Sequence, residues 1–482
     1  LLIDDATLTV QRFEDVPRLT LQLGIGLPGA SGLPSLDLLC LHDCALVSRV
    51  PMADEPSGNG QSLRLRAVAE LVDHAALLVS RFSRDADCFL LAGPTPSAPF
   101  ERVESLLFLE SLAFVHRLNA TDEPRLLHLA QTPIIERLEQ RLIQSADRPA
   151  LNIAGTSLDY GQLHNHSRAI AQRLQPLLGR HPGPIVVGIC LPKCSALYAG
   201  ILAILGCGAV YLPLEPSHPL QRQQYILSNA GAVLLLHDGQ HPLSSEMPGL
   251  DITLIDVDDA DPDQPLMHQR PDLDAPCMAL YTSGTTGHPK GVLLSQANLA
   301  HFTAWYADYV QLTEQSRVLQ FSSLSFDSSL IDIFPTLLQG AELIVPSEDQ
   351  RRDTLQLVEL IRHQRLSHAF LPPALLSILP LEQLQDLDHV MTGGDVCEPW
   401  VIQQLTRQGT LYNLYGPTEA TVLITARRLR TGDNNRSLGG PIANSQVLIL
   451  DEDLQPVSEQ TVGELFIVGP GVCLGYLNNP QQ

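Results

Sequence analysis

The densest chemistry in the chain lies in eleven residues, Tyr281-Thr-Ser-Gly-Thr-Thr-Gly-His-Pro-Lys-Gly291. They hold three glycines, four Ser/Thr hydroxyls and one lysine. Glycines let bare backbone N–H groups approach anionic oxygens, hydroxyls add donors, and lysine adds charge; together this is phosphate-binding chemistry. The apolar run Met278-Ala-Leu-Tyr281 leads in as a predicted strand, and Val292-Leu-Leu294 is a second apolar patch behind it. The spacing is not that of the common P-loop, which ends in Gly-Lys-Ser/Thr. Here Pro289 precedes Lys290 and Gly291 follows it. Taken alone, the stretch also fits a flexible Gly/Thr surface loop.

Two further clusters stand out. In Asn413-Leu-Tyr-Gly-Pro-Thr-Glu419 a tyrosine precedes a rigid Gly-Pro turn and can offer its face to a purine. Thr418 offers a hydroxyl to a phosphate and Glu419 a hard oxygen to Mg2+. The same residues could simply form a turn that ends a strand. In Phe326-Asp-Ser-Ser-Leu-Ile-Asp-Ile-Phe334, Asp327 opens an apolar run in which Phe326, Leu330 and Phe334 share a predicted helical face. An acid at the lip of a helix commonly caps it. The functional alternative is a counter-ion for an ammonium group entering an apolar pocket.

The elements that must position these clusters alternate along the chain. From about residue 133, helical periodicity (134–145, 161–178, 193–206, 219–230) alternates with short apolar runs (184–190, 209–212, 232–236, 253–256). Further runs follow at 279–282, 317–321, 341–345, 367–371 and 388–391. This rhythm predicts an α/β fold with parallel sheets covered by helices. After about 437, strands at 446–450 and 463–468 come close together and predict a small β-rich closing unit. Residues 1–125 read differently, as α+β. Strands are predicted around Thr7-Leu-Thr-Val10 and Arg18-Leu-Thr-Leu-Gln-Leu23, and helices over about 62–84 and 100–118. A linker is expected near 119–130.

Composition narrows the classes. The 482 residues are 44% hydrophobic and 17% charged, which marks a globular protein of more than one domain. The formal net charge of −23, from 53 acidic and 30 basic residues, disfavours nucleic acid and acidic membrane as partners. No run reaches the roughly 18 apolar residues of a membrane span, and no signal peptide opens the chain; a cytoplasmic location is expected. Nine scattered cysteines, the closest pairs being Cys40/Cys44 and Cys190/Cys194, read as reduced thiols and not as a zinc site. The first residue is Leu, so the sequence is expected to be a piece of something longer.

The three clusters, in this order and spacing, resemble the adenylation domains of nonribosomal peptide synthetases, within the wider superfamily of acyl-CoA synthetases and luciferases. Leu158-Asp-Tyr-Gly-Gln-Leu163 is similar to that family's first core motif. Leu205-Gly-Cys-Gly-Ala-Val-Tyr-Leu-Pro213 is similar to its second, with Glu215 and Pro219 following. Gly463-Glu-Leu-Phe-Ile-Val-Gly-Pro-Gly-Val-Cys-Leu-Gly-Tyr476 is similar to its sixth. The resemblance covers about 130–482 and implies an adenylate-forming core of two parallel-sheet α/β subdomains, not a simple NTP hydrolase.

The reaction implied by the resemblance joins an amino acid carboxylate to the α-phosphate of MgATP. A carrier-protein phosphopantetheine thiol then takes the acyl group. Thr282, Ser283, Gly284, Thr285, Thr286, Gly287 and Lys290 would form the loop over the β/γ-phosphates. Tyr415 would stack on adenine, Thr418 contact phosphate and Glu419 hold Mg2+. Asn413, Gly393 and Gly394 would line the adenine side. Asp327 matches the acid that pairs with the substrate ammonium. The side-chain pocket would be Ser328, Ile331, Ala374, Met391, Gly393, Leu414, Val422 and Leu423, with no charge beyond Asp327 and Ser328 as its only polar side chain. Such a lining would leave a charged side chain unpaired, so an apolar amino acid is expected, with Leu, Val or Ile favoured and an aromatic still open. The resemblance also leaves room for a small accessory activator protein.

The chain departs from the family in two places. The Tyr-x-Thr-Gly-Asp motif and the mobile C-terminal subdomain with its lysine are absent, so turnover much slower than that of a full enzyme is expected. Residues 1–125 sit where a condensation domain often precedes adenylation, yet carry no His-His-x-x-x-Asp-Gly. They read as a condensation-like remnant or as an interaction domain. Rival readings of the whole are a free-standing acyl- or aryl-CoA ligase, which would not need the charge of Asp327, and a catalytically idle scaffold.

Overall fold

The computed structural model describes residues 3–13, 16–25, 35–41, 44–50, 65–69, 77–79, 90–91, 118–179, 184–238, 253–256, 271–282, 289–452, 454–457 and 461–479. By internal contacts the chain divides into two units: Leu1–Ala120 with Val447–Phe466, and Thr121–Gln446 with Ile467–Gln482.

In the first unit, strands Ile3–Phe13, Val16–Ile25, Ser35–Leu41, Cys44–Val50 and Leu65–Ala69 form an antiparallel sheet in chain order. Leu77–Val79 pairs with Leu90–Leu91. The helix expected over 62–84 is therefore replaced, where described, by strands. Leu63-Arg-Leu-Arg-Ala67 alternates with period two as well as fitting a helical face, and a partner strand at Cys44–Val50 decides for pairing. The helix expected over 100–118 lies outside the described residues except at its end. Gln446–Leu450 and Glu464–Val468 make a two-stranded sheet of their own.

The second unit contains two large sheets. The seven-stranded one runs Thr253–Asp256, Leu234–His237, Val186–Ile189, Val210–Pro213, Pro276–Thr282, Lys290–Ser295, Gly475–Tyr476. Its first five strands are parallel and its last two antiparallel. The nine-stranded sheet runs Gly440–Pro441, Thr425–Leu429, Thr410–Tyr415, His389–Gly393, His368–Phe370, Arg317–Leu319, Glu342–Val345, Pro149–Ile153, Thr156–Asp159. Its inner six strands are parallel. Strands covered on both faces read as unbroken apolar runs, which is why Val186–Ile189 and Leu234–His237 are buried throughout. The two strands expected to form a small closing unit, Gln446–Leu450 and Glu464–Val468, pair with each other, while Gly440–Pro441 joins one large sheet and Gly475–Tyr476 the other.

One apolar core runs through both sheets, joining Leu280 and Leu236 of the first to Leu343 and Tyr412 of the second through Tyr198, Phe302, Tyr306 and Phe334. Capping boxes start two of the core helices, Asp159 with Gln162 for Tyr160–Leu178 and Ser295 with Asn298 for Gln296–Tyr309. Tyr160, fully buried, donates its hydroxyl to the Ala341 carbonyl at 2.7 Å and so ties down the end of helix Ser328–Gln339. Tyr160→Phe is expected to lower stability by about 1–2 kcal/mol in urea melts, because the carbonyl loses its buried donor. No helix among the described residues is long and apolar enough to cross a membrane.

A buried imidazole group makes this core acid-sensitive. His368 bonds the Val310 carbonyl through Nε2 at 2.9 Å and stacks on His389 at 4.4 Å. Burial pushes His301 and His368 down to about 4. In the unfolded chain an imidazole titrates near 6.5, so the unfolded state takes up protons first as pH falls. The stability these rings contribute is thus full above about pH 6.5 and lost as pH falls through about 4. Asp332, raised by burial, has the opposite sign, so the informative measurement is a difference. The gap in melting temperature between the wild type and His368→Gln is expected to narrow between pH 7 and pH 4.5. A constant gap would refute the imidazole account.

Candidate active site

The strand Pro276–Thr282 turns back antiparallel into Lys290–Ser295, with Thr282 opposite Lys290. The predicted phosphate loop is therefore the connection of a hairpin, not the strand-to-helix turn of a P-loop. Ser283, Gly284, Thr285, Thr286 and Gly287 lie outside the described residues. Lys290 places its ammonium 5.5 Å from the centre of the Tyr476 ring. Gly291 is required here, because a Cβ would sit 2.9 Å from the Tyr281 ring.

From the nine-stranded sheet, strand Thr410–Tyr415 delivers the second cluster, and Thr418–Ala420 forms a single 3-10 turn after it. Thr421 and Val422 follow at φ +54° and +75°. Such values are unusual for β-branched residues and cost about 1–3 kcal/mol each. The surroundings hold them: the Thr421 hydroxyl donates to the Gly471 carbonyl at 2.6 Å, and the Ile424 N–H to the Tyr415 carbonyl at 2.8 Å.

Asp327 stands just before helix Ser328–Gln339 but does not cap it with its side chain. Its Oδ2 accepts the Thr418 hydroxyl at 2.5 Å. Thr418, expected on a phosphate, thus reaches across to the acid expected to meet an ammonium. Burial raises the Asp327 carboxyl above its usual range, opposed by the Thr418 hydroxyl and the backbone N–H of Ser328. An ammonium arriving there would restore the charged form. Phe326 does not share the helical face expected for it; it precedes the helix and is 67% exposed, while Leu330 and Phe334 are buried.

Asp327 opens into a cavity of about 500 Å3. The structure brings together on its walls Asp327, Ser328, Ile331, Gly393, Gly394, Leu414, Tyr415, Val422 and Leu423. Gly393 must lack a side chain, since a Cβ would lie 2.2 Å from the Leu414 carbonyl oxygen. Three expected residues are elsewhere. Ala374 is exposed on the short helix Pro373–Leu376, turned out after two prolines, and Phe370 and Pro372 line the cavity instead. Met391 lies one pleat deeper than Gly393 and is 1% exposed, packed in the core. Asn413 uses its amide to hold the Ser437 carbonyl at 3.1 Å. The expectations of no charge beyond Asp327 and no polar side chain beyond Ser328 also need correction: Arg351 faces the cavity, and so do Ser322 and Ser323. Arg351 is held by Glu348 at 3.0 Å and stacks 5.8 Å from the Phe321 ring.

Glu419 accepts the Tyr476 hydroxyl on Oε1 at 2.5 Å. Among the described residues no group of three His, Cys, Asp or Glu could hold a metal by itself. A lone carboxylate nevertheless fits Mg2+, which is commonly bound through one or two carboxylates with the remaining ligands from phosphates and water.

Residues 138–477 match the family model described as AMP-binding enzyme. The chain belongs to that family. This AMP-binding enzyme is 32% identical over 387 residues to bacitracin synthase 3 of Bacillus licheniformis, covering 79% of this chain and 6% of that protein. It is 31% identical over 471 residues to the probable non-canonical nonribosomal peptide synthetase CymA of Salinispora arenicola, covering 95% of this chain and 6% of that one. The chain therefore spans a small part of the length of these relatives. In three dimensions it is similar to the nonribosomal peptide synthetase FmoA3 in its α-methyl-L-serine-AMP-bound form. That match has a TM-score of 0.70 and 28% identity over 77% of this chain and 43% of that chain. With these relatives, the AMP-binding enzyme is an adenylation domain of the nonribosomal peptide synthetase type.

Proposed function

We propose that the chain activates an α-amino acid with an apolar, branched aliphatic side chain by adenylation. The carboxylate oxygen attacks the α-phosphorus of ATP, the bond from that phosphorus to the bridging oxygen breaks, and pyrophosphate leaves. The observation that carries the reading is Asp327, a half-buried acid on the wall of a cavity shared with Tyr415 and Gly394. An ammonium at Asp327 places the substrate carboxylate toward the nucleotide side, and positioning of this kind supplies much of the rate. Ile331, Phe370, Leu414, Val422 and Leu423 supply the apolar part of the wall, beside Ser322, Ser323 and Ser328. Arg351 is engaged by Glu348, an acid it shares with Arg352, and stacks on Phe321, so it stands as part of the wall and not as the partner of a substrate charge. Lys290, with Ser283, Thr285 and Thr286, would hold the β- and γ-phosphates, and Tyr415 the adenine. Bound through Glu419, Mg2+ would neutralise phosphate charge. The acyl group then passes to the phosphopantetheine thiol of a separate carrier protein, with AMP as leaving group.

Amino-acid-dependent ATP–pyrophosphate exchange across the twenty amino acids tests this. Exchange confined to Leu, Val and Ile is expected. Equal exchange with Glu or Lys would overturn the pocket assignment, and exchange with none would overturn the activity as stated.

A further inference from the structure

Residues 469–477 include the edge strand of the seven-stranded sheet and also bond to the turn that follows strand Thr410–Tyr415 of the nine-stranded one. On one side the Cys473 N–H donates to the Glu419 carbonyl at 2.8 Å, and Gly471 accepts from Thr421. On the other, Leu474 N–H donates to Leu293 at 2.8 Å and Leu477 N–H to Gly291 at 2.7 Å. Tyr476, paired opposite Val292, lies between these anchors. Its hydroxyl donates to Glu419 Oε1 at 2.5 Å, and its ring lies 5.5 Å from the Lys290 ammonium. One side chain thus touches the acid at the end of the Asn413 cluster and the lysine that closes the phosphate loop. These groups come from different sheets and are far apart in sequence.

We propose that Tyr476 is a positioning residue that sets the Glu419 carboxylate and the Lys290 ammonium in one geometry for a nucleotide carrying Mg2+. The phenol engages Oε1 and leaves Oε2 for the cation, so the carboxylate is aimed before the metal arrives. The ring holds the lysine head by a cation–π contact at the first residue of strand Lys290–Ser295. Preorganisation of this kind removes an ordering cost that binding would otherwise carry. The inference rests on the reading of Lys290 and Glu419 as nucleotide and metal ligands.

Calorimetric titration of the intact chain with MgATP, and with ATP in EDTA, separates the two contacts. Tyr476→Phe keeps the ring and removes the hydroxyl. It is expected to weaken MgATP binding about tenfold, the scale of a hydrogen bond to a charged group, and to leave ATP–EDTA binding unchanged. Tyr476→Leu removes both contacts and is expected to weaken both titrations. In a Glu419→Gln background, Tyr476→Phe should add nothing further, and melting temperatures recorded alongside show that each variant is folded. Equal MgATP affinity for wild type and Tyr476→Phe overturns the proposal, as does an undiminished Tyr476→Phe effect in the Glu419→Gln background. A wild-type chain that binds no MgATP overturns the nucleotide reading itself, and this inference with it.

Discussion

Asp327→Asn is expected to cut amino-acid-dependent pyrophosphate exchange by about a hundredfold or more, mainly through a higher KM for the amino acid. Stripping one partner from a substantially desolvated ion pair costs about 3 kcal/mol at the low end of the usual range. The variant keeps the shape of the carboxyl and can still bond Thr418, so the change isolates the charge. A sharper readout uses two ligands, the amino acid and its 2-hydroxy analogue. The wild type should prefer the ammonium form strongly, and Asp327→Asn should lose that preference. Retention of the preference would show that the ammonium binds elsewhere, and the acyl-ligase reading would gain ground.

The same substitution has an expected stability effect of opposite sign. Burial is the leading cause of the raised Asp327 carboxyl. A group whose folded pKa lies above its unfolded value contributes stability present below the unfolded pKa and lost as pH rises through the folded one. At neutral pH the wild type therefore carries a penalty that Asn removes. Asp327→Asn should melt no lower than the wild type at pH 7 while losing substrate preference. That combination separates a binding residue from a structural one.

How far the site could be read from the chain depended on whether each contact was local. The parallel strands were legible because burial on both faces writes itself as apolar runs: the runs at 209–212 and 253–256 fall on the strands Val210–Pro213 and Thr253–Asp256. Asp327 and Leu414 belong to compact runs of distinctive residues, whereas Val422 was placed by the family resemblance alone; all three line the cavity. Phe370 was missed although it ends an apolar strand just before Leu-Pro-Pro; the position chosen, Ala374, lies across that proline pair, where the chain changes direction. Arg351 gave no signal, because a short charged helix looks like any solvated face until it folds against Phe321. Tyr476 sat inside a recognised motif, but its partners are nearly 60 and 190 residues away, and no spacing rule reaches that far. In the first unit, Leu65–Ala69 shows the converse failure, a local pattern compatible with two elements and decided by a partner strand.

The second large effect should come from a pair that never touches substrate. Lys193 is mostly buried and donates to the carbonyls of Gln320 at 3.4 Å and Phe321 at 3.2 Å. Burial lowers it to about 8, and the nearby Asp332 charge works against that shift. Asp332 is fully buried, takes the Ser322 N–H on Oδ2 at 3.4 Å, and has no hydrogen-bond partner on Oδ1. Gln320 closes the group, accepting from Tyr198 at 3.2 Å and donating to the Ser322 carbonyl at 2.8 Å. The segment so held, 320–323, carries Phe321, Ser322 and Ser323 into the cavity wall. Lys193→Met takes the donor from two carbonyls and the opposing charge from Asp332, whose carboxyl burial already raises well above its usual range, and is expected to cost about 1–3 kcal/mol in denaturant unfolding. Lys193→Met with Asp332→Asn removes both ionisable groups and should recover part of that loss, because no buried carboxyl is left lacking a nearby positive charge. If the double variant is no more stable than Lys193→Met alone, the lysine acts through the two carbonyls and not through Asp332. The recovered double variant would then show what the charges do for function: a folded chain whose cavity wall is loosened should raise the KM for the amino acid and leave MgATP affinity unchanged, because the nucleotide ligands stand on other strands.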